Sequence, residues 1–306
     1  MSMLSDAPAP RLREFALLGL LALLWGSSYA LIRVALESFP PVTLIAIRVS
    51  VATVFILALV AWRGERLPRD AATWGRLLVQ SLLNSVGAWL VLAWGQQHVE
   101  SGLAGVLNST SPIFVFLIAS ALSGRVGEMS KFAGAVLGLG GVVLIVGAGA
   151  LEGLGKNVLA ELAVLSGAMM YGGAAIYGRR FAHLPPTVTA AGTMIWASVI
   201  LVPLSIVVDR PWTLAVSETS LAAALTLGVV CTGLALLIYF RLVVTIGSMG
   251  AASQAYLRAG ISVVLGMAVF GESFRPEIAA GLVLAVAGVA MINWPRRPAA
   301  APRRPA

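Results

Sequence analysis

Three kinds of side chain in this sequence could do chemistry away from water: arginines, amides, and indole or phenol rings. The clearest arrangement is Gln254, Arg258 and Ser262, four residues apart and therefore on one face of a helix. Arg258 falls about ten residues into an apolar run of about 23, where an arginine costs at least ~2.5 kcal/mol to insert into lipid. No Asp or Glu lies at similar depth in any apolar run. A guanidinium in that position suits a carboxylate or phosphate, which its planar fork of donors grips with two bonds. The competing reading is a structural tie to backbone carbonyls. Arg48, nearer the end of its own run, fits that second reading better.

Other runs carry polar stripes. In LLALLWGSSYALIRVAL, residues 20–36, Trp25, Ser28 and Tyr29 share a face. Gln80, Asn84 and Trp94 form a second stripe, and Ser101, Asn108 and Ser111 a third. Met170, Gly173 and Tyr177 form a fourth, and Thr189, Thr193 and Trp196 a fifth. Polar groups facing lipid go unsatisfied, so these stripes face a wet cavity or a neighbouring helix. Singly, Ser27, Ser111 or Thr189 read as helix–helix glue, worth about 0.6 kcal/mol per hydrogen bond. Together with tryptophans, tyrosines, amides and an arginine they read as the wall of a binding site. The candidate substrate-binding set is Trp25, Tyr29, Asn84, Trp94, Asn108, Tyr177, Trp196, Gln254 and Arg258. It suits a small, partly apolar solute with an acid group.

Other chemistries find no support. Cys231 is the single cysteine, so neither an internal disulfide nor a Cys–Cys metal pair can form. The two histidines, His98 and His183, fall near span ends, leaving no nucleophile–base pair or metal cluster at membrane depth. GAGALEGLGKN at 147–157 lacks the spacing and the Ser or Thr of a phosphate loop. No cofactor is implied. The net charge of +8 sits in short loops and in the tail WPRRPAAAPRRPA, which marks topology rather than a nucleic-acid partner. Glu37, Glu100, Glu152, Glu161, Asp209, Glu218, Glu272 and Glu277 gather at one set of span ends, so no carboxylate at mid-depth is placed to carry a coupling proton.

The elements that must position these residues follow from composition. With 59% hydrophobic and 11% charged residues and a mean hydropathy of +0.92, the 306-residue chain cannot cover a soluble surface. Apolar runs of membrane-spanning length recur near 15–36, 41–62, 76–97, 101–122, 131–149, 158–178, 187–208, 219–240, 248–270 and 276–293. The expectation is an all-α membrane protein of ten transmembrane helices. Lys and Arg fall about fifteen to about four in favour of the loops that share a side with both termini, which places both termini in the cytoplasm. Trp62, Trp74, Trp212 and Trp294 mark span ends as interfacial anchors.

The halves repeat. FPPVTLIAIR (39–48) aligns with LPPTVTAAGT (184–193), and Gly124, Gly134 and Gly141 fall on Gly271, Gly281 and Gly288. Five spans per half, an odd number, give two inverted repeats, a device for opening one central site to either side in turn. Gly134 and Gly138, with Gly281 and Ala285 in the matching places, fit close helix packing. The organisation is a cytoplasmic tail (1–14), a first five-helix repeat (15–149), a linker (150–157), a second repeat (158–294) and a basic cytoplasmic tail (295–306) resting on anionic headgroups.

LLWGSSYALIRVAL and PPVTLIAIR in the first half, and FGE followed by AGLVLAVAGV in the second, resemble EamA-like domains of the drug/metabolite transporter superfamily, and the match covers both halves, roughly 15–148 and 158–294. The resemblance implies a ten-helix transporter of small metabolites, usually an exporter, with a central cavity. The expectation is an inner-membrane carrier, and its aromatic walls and arginine suggest an amino acid or a related metabolite as solute. Uptake by the same fold is the alternative; a channel or receptor fits the repeat less well. Two positions depart from the pattern: Gly124-Arg125 stands where the second half has Gly271-Glu272, and Pro112 where it has Ala259. Substrate, coupling ion and oligomeric state are not written in the sequence.

Overall fold

A computed structural model describes residues 11–99, 101–124, 126–270 and 276–294. The side chains of Tyr29, Ser101 and Ser262 lie outside the described set, as do Glu100, Arg125, the segment 271–275 and both tails. Every described regular element is helical. In chain order they are α1 (Leu12–Ala35), α2 (Pro41–Trp62), α3 (Ala71–Gln96), α4 (Leu103–Ser123), α5 (Met129–Val146), α6 (Val158–Phe181), α7 (Pro186–Val208) and α8 (Glu218–Thr245). A short helix Gly247–Ala252 leads into α9 (Gln254–Phe270), and α10 is Pro276–Asn293. Among the described residues, nine of these helices are long and apolar enough to cross a membrane. The expected unbroken span over 248–270 is instead split at Ser253, leaving α9 with 17 residues.

Local chemistry sets the ends. Pro41 and Pro186 open α2 and α7, where the missing N–H and fixed φ of proline are assets. The Asp70 carboxylate accepts the Thr73 N–H at 2.7 Å and caps α3. Ser217 caps α8 by accepting the Ser220 N–H. Gly124, at φ 63°, ends α4 in the left-handed conformation that suits glycine.

Hydrogen bonds sort the bundle into two ends. At one, Glu14 accepts from Arg241 and Thr245, each at 2.8 Å, and Thr187 donates to Glu65. Asn293, the last residue of α10, reaches Ser253 at 3.2 Å. The start of α1 and the end of α10 lie at this end, with Arg13, Arg63, Arg66, Arg69, Arg179 and Arg180. At the opposite end the Thr43 N–H and hydroxyl both reach Asp209 at 2.8 Å, and Ser38 meets Ser217.

Two features position the site. The first is the glycine seam between α5 and α10. A Cβ on Gly141 would sit 2.6 Å from the Gly281 carbonyl, and one on Gly134 3.0 Å from that of Gly288, so backbone lies on backbone. The second is a pair of π-turns, Leu82–Val86 in α3 and Val229–Leu234 in α8. Each begins at the twelfth residue of its span. A π-turn inserts an extra residue, frees a carbonyl from the usual ladder and rotates everything after it.

Candidate functional site

A cavity of about 360 Å³ lies inside the bundle, within the range of small-molecule sites. Its rim is formed by exposed Leu36, Pro41, Gln96 and Gln97, at the end away from the Glu14–Arg241 pair. Its floor is formed by Ala175, Tyr239, Ala252 and Gln254, all but shut off from solvent. Ser248 donates to the Ala175 carbonyl at 2.7 Å and ties this floor together. The site therefore opens to one end only. Trp25, Trp89, Tyr171 and Tyr239 supply aromatic wall. The Trp25 and Tyr239 rings lie 5.6 Å apart, an offset contact favourable to both.

Two arginines, Arg48 and Arg258, line the cavity, and among the described residues its wall carries no carboxylate. The π-turn of α8 explains how Arg48 is held. It exposes the Cys231 carbonyl, which accepts the Trp25 indole N–H at 3.1 Å and an Arg48 amino group at 3.3 Å. The Thr232 hydroxyl accepts the Arg48 Nε–H at 2.5 Å and donates to the Leu227 carbonyl at 2.9 Å. The Arg48 guanidinium also stacks 4.6 Å from the Trp89 ring centre, a cation–π contact strengthened where water is scarce. Arg258 likewise engages protein partners. Its backbone carbonyl lies beside Gly26 of α1, where a side chain would not fit without displacing Ile261.

Amides complete the lining. Asn84, inside the α3 π-turn, donates to Ser85 at 3.2 Å. Asn108 and Gln254 are only 5% and 6% exposed, and neither side-chain oxygen has a hydrogen-bond partner among the described residues. Asn108 ends the helical piece Ser101–Asn108, just before α4 breaks at 109–110; Gln254 follows the break at Ser253.

Of the nine residues singled out from sequence, Trp25, Asn84, Asn108, Gln254 and Arg258 lie on the cavity wall. The side chain of Tyr29 lies outside the described residues. Three lie elsewhere. Trp94 is 43% exposed and stacks on His98 at 4.9 Å. The π-turn between Asn84 and Trp94 rotates the rest of α3, so that Trp89, Leu92, Ala93 and Gln96 face the cavity instead. Tyr177 sits at the terminal end of α6, edge-on to Phe181 and under the Arg180 guanidinium. Its stripe is a packing seam: Met170 lies against Gly87 and Gly173 beside Leu83, while Tyr171 and Ala175 reach the cavity. Trp196 donates to the Trp74 carbonyl at 3.0 Å, with the two rings edge to face. This makes Trp74 a packing partner as well as a span-end residue. Buried Thr193 and Thr189 hydrogen-bond along their own helix.

The sequence reading passed over Arg48 as a cavity residue, and Trp89, Tyr171 and Tyr239 altogether. Only Arg48 left a signal, as the other arginine inside an apolar run.

Lipid-length helices around a solute-sized void with a buried floor fit a membrane transporter. The EamA-like transporter family model matches residues 14–147 and again 158–294, and the chain belongs to that family. It is 28% identical over 293 residues to the inner membrane transporter YedA of Escherichia coli K12, covering 94% of each chain. It is 23% identical to the transporter YoaV of Bacillus subtilis, over 88% of this chain and 92% of that one. A probable terminal-alkyne amino-acid exporter of Streptantibioticus cattleyicolor is 26% identical over 88% of this chain and 89% of its own. A solved crystal structure shares the fold, with a TM-score of 0.78 at 22% identity, covering 91% of this chain and 97% of that chain.

Proposed function

We propose that the protein is a secondary transporter that exports small carboxylate-bearing metabolites, amino acids or related acids, across the inner membrane by alternating access. Ten spans in two inverted halves carry it, with the split segment 247–270 as the ninth. The basic end, with both termini, faces the cytoplasm, so the cavity described here opens outward. The observation that carries the reading is the wall itself: two guanidiniums, amides and aromatic rings, with no carboxylate among the described residues. Such a wall favours an anionic group and disfavours a plain cation. Opening to the cytoplasm requires the Glu14–Arg241 pair and the Ser248–Ala175 bond to part, while the mouth closes. Export agrees with the Streptantibioticus relative, a probable terminal-alkyne amino-acid exporter; uptake would use the same site under the opposite gradient.

Counterflow in proteoliposomes tests this. With a panel of amino acids, hydroxycarboxylates and dicarboxylates, at least one should accumulate saturably, and Arg258→Ala should slow it tenfold or more while the variant still folds. No accumulation of any carboxylate, or an Arg258→Ala variant equal to wild type, would overturn the reading.

A further inference from the structure

We infer that a groove beside the end of α2, flanked by Arg66 and Arg69, binds an anionic glycerophospholipid. The groove shares no residue with the central cavity.

Chain geometry builds it. α2 ends at Trp62, and Gly64 turns the chain at φ 65°, a left-handed conformation that glycine adopts freely. Leu57, Val60 and Ala61, at i, i+3 and i+4, form one wall. The non-helical segment 65–69 forms the other. The space between them is about 570 Å³, within the range of small-molecule sites.

The segment is pinned at several points. The Glu65 N–H donates to the Val60 carbonyl at 3.0 Å. The Glu65 carboxylate accepts the Thr187 hydroxyl of α7. The Trp74 indole donates to the Pro68 carbonyl at 2.9 Å, and Leu67 packs against the core. A wall already ordered costs little entropy on binding. Arg66 and Arg69 are left exposed, and among the described residues neither guanidinium has a hydrogen bond or an ion pair. Glu65 is the one carboxylate in the described lining, and Arg63 stands 4.0 Å from it. The charge of Arg66 and Arg69 is therefore unanswered by protein.

Depth names the ligand. Trp62 is 81% exposed, as an anchor at the headgroup level is. Leu57, four residues before Ala61, lies about 6 Å deeper along the helix. The groove is thus cationic at headgroup depth and apolar beneath, the polarity of a phospholipid. Guanidinium forks take the phosphate, and the chain lies along Leu57 and Val60. A free phosphate would use only the upper half, and a zwitterionic lipid would bring its own cation to two arginines. Under the topology proposed above, this is the cytoplasmic leaflet, where anionic headgroups meet basic pockets.

Lipid titration of the purified, delipidated full-length protein in a non-ionic detergent tests the site. The probes are dioleoylphosphatidylglycerol, dioleoylphosphatidylcholine and glycerol 3-phosphate. Native mass spectrometry counts the bound lipid, and heating follows stability. The phosphatidylglycerol should bind at least tenfold tighter than the phosphatidylcholine and raise the melting temperature, whereas glycerol 3-phosphate should not raise it. Arg66→Ala and Arg69→Ala should each weaken phosphatidylglycerol binding about fivefold. Without lipid, both variants should melt with wild type, because neither side chain has a protein partner. Arg179→Ala, at the other basic loop of this end, should keep the preference. Equal binding of the two lipids, or a preference that survives with both arginines replaced, would overturn the site. Stabilisation by glycerol 3-phosphate equal to that by phosphatidylglycerol would overturn the lipid assignment in favour of a simple phosphate site.

Discussion

The two π-turns start at the same position of corresponding spans, yet their surroundings differ. In α8 the wide turn is fully used: its freed Cys231 carbonyl and the Thr232 hydroxyl hold Arg48 and Trp25 from the other half. In α3 the matching turn carries Asn84, whose amide donates to its neighbour Ser85, and follows Gln80 and Ser81. The Ser81 hydroxyl and the Gln80 side-chain oxygen are buried with no partner among the described residues. One turn is a latch that is made; the other holds hydrogen-bonding capacity in reserve. Under the alternating-access mechanism proposed above, the bonds made at the α8 turn hold the conformation described here, and the α3 turn is the place to look for bonds made in the other.

The comparison can be broken first at the latch. Thr232→Val keeps the shape and removes the acceptor of the Arg48 Nε–H. A hydrogen bond to a charged group is worth about 1.5–3 kcal/mol, so the outward-open state should lose roughly that much relative to its alternative. A cysteine placed at the rim position Gln97 should then react more slowly with a membrane-impermeant thiol reagent, about tenfold or more. Unchanged reactivity would mean that the bond does not bias the equilibrium. A smaller effect sharpens the other side. Ser81→Ala removes a buried hydroxyl with no partner among the described residues, so the variant should be as stable as wild type or more so, by about 1 kcal/mol at most, with a melting temperature no lower, while counterflow slows. A clear fall in melting temperature would show that the hydroxyl is already bonded.

Much of this architecture was legible in the sequence because lipid imposes simple rules. Span length and the glycine seam of α5 and α10 follow from hydropathy and small-residue spacing. Arg258, Asn108 and Gln254 stood out because polar groups at membrane depth are expensive. What stayed hidden depends on helix rotation. Nothing in LLNSV or VVCTGL marks a π-turn, since the extra residue is accommodated by packing partners elsewhere in the chain. Regular spacing therefore placed Trp94 on Asn84's face, and the turn between them moved it away. Tyr177 and Trp196 failed for a related reason: a stripe of polar and small residues looks alike whether it faces a void or a neighbouring helix, and theirs face helices. Arg48 looked structural because it is tied by protein, and it is; being tied does not keep it off the wall.

The most direct measurement asks whether solute occupies this void. Ser111 lines the cavity and is nearly buried. With Cys231, whose thiol is buried, replaced by serine, a cysteine at position 111 should react with an impermeant thiol reagent added from the side away from the termini. An amino acid that binds should slow that reaction in proportion to site occupancy. A cysteine at 111 that reacts at the same rate with and without every carboxylate solute, while one at Gln97 labels freely, would contradict a central solute path through this bundle.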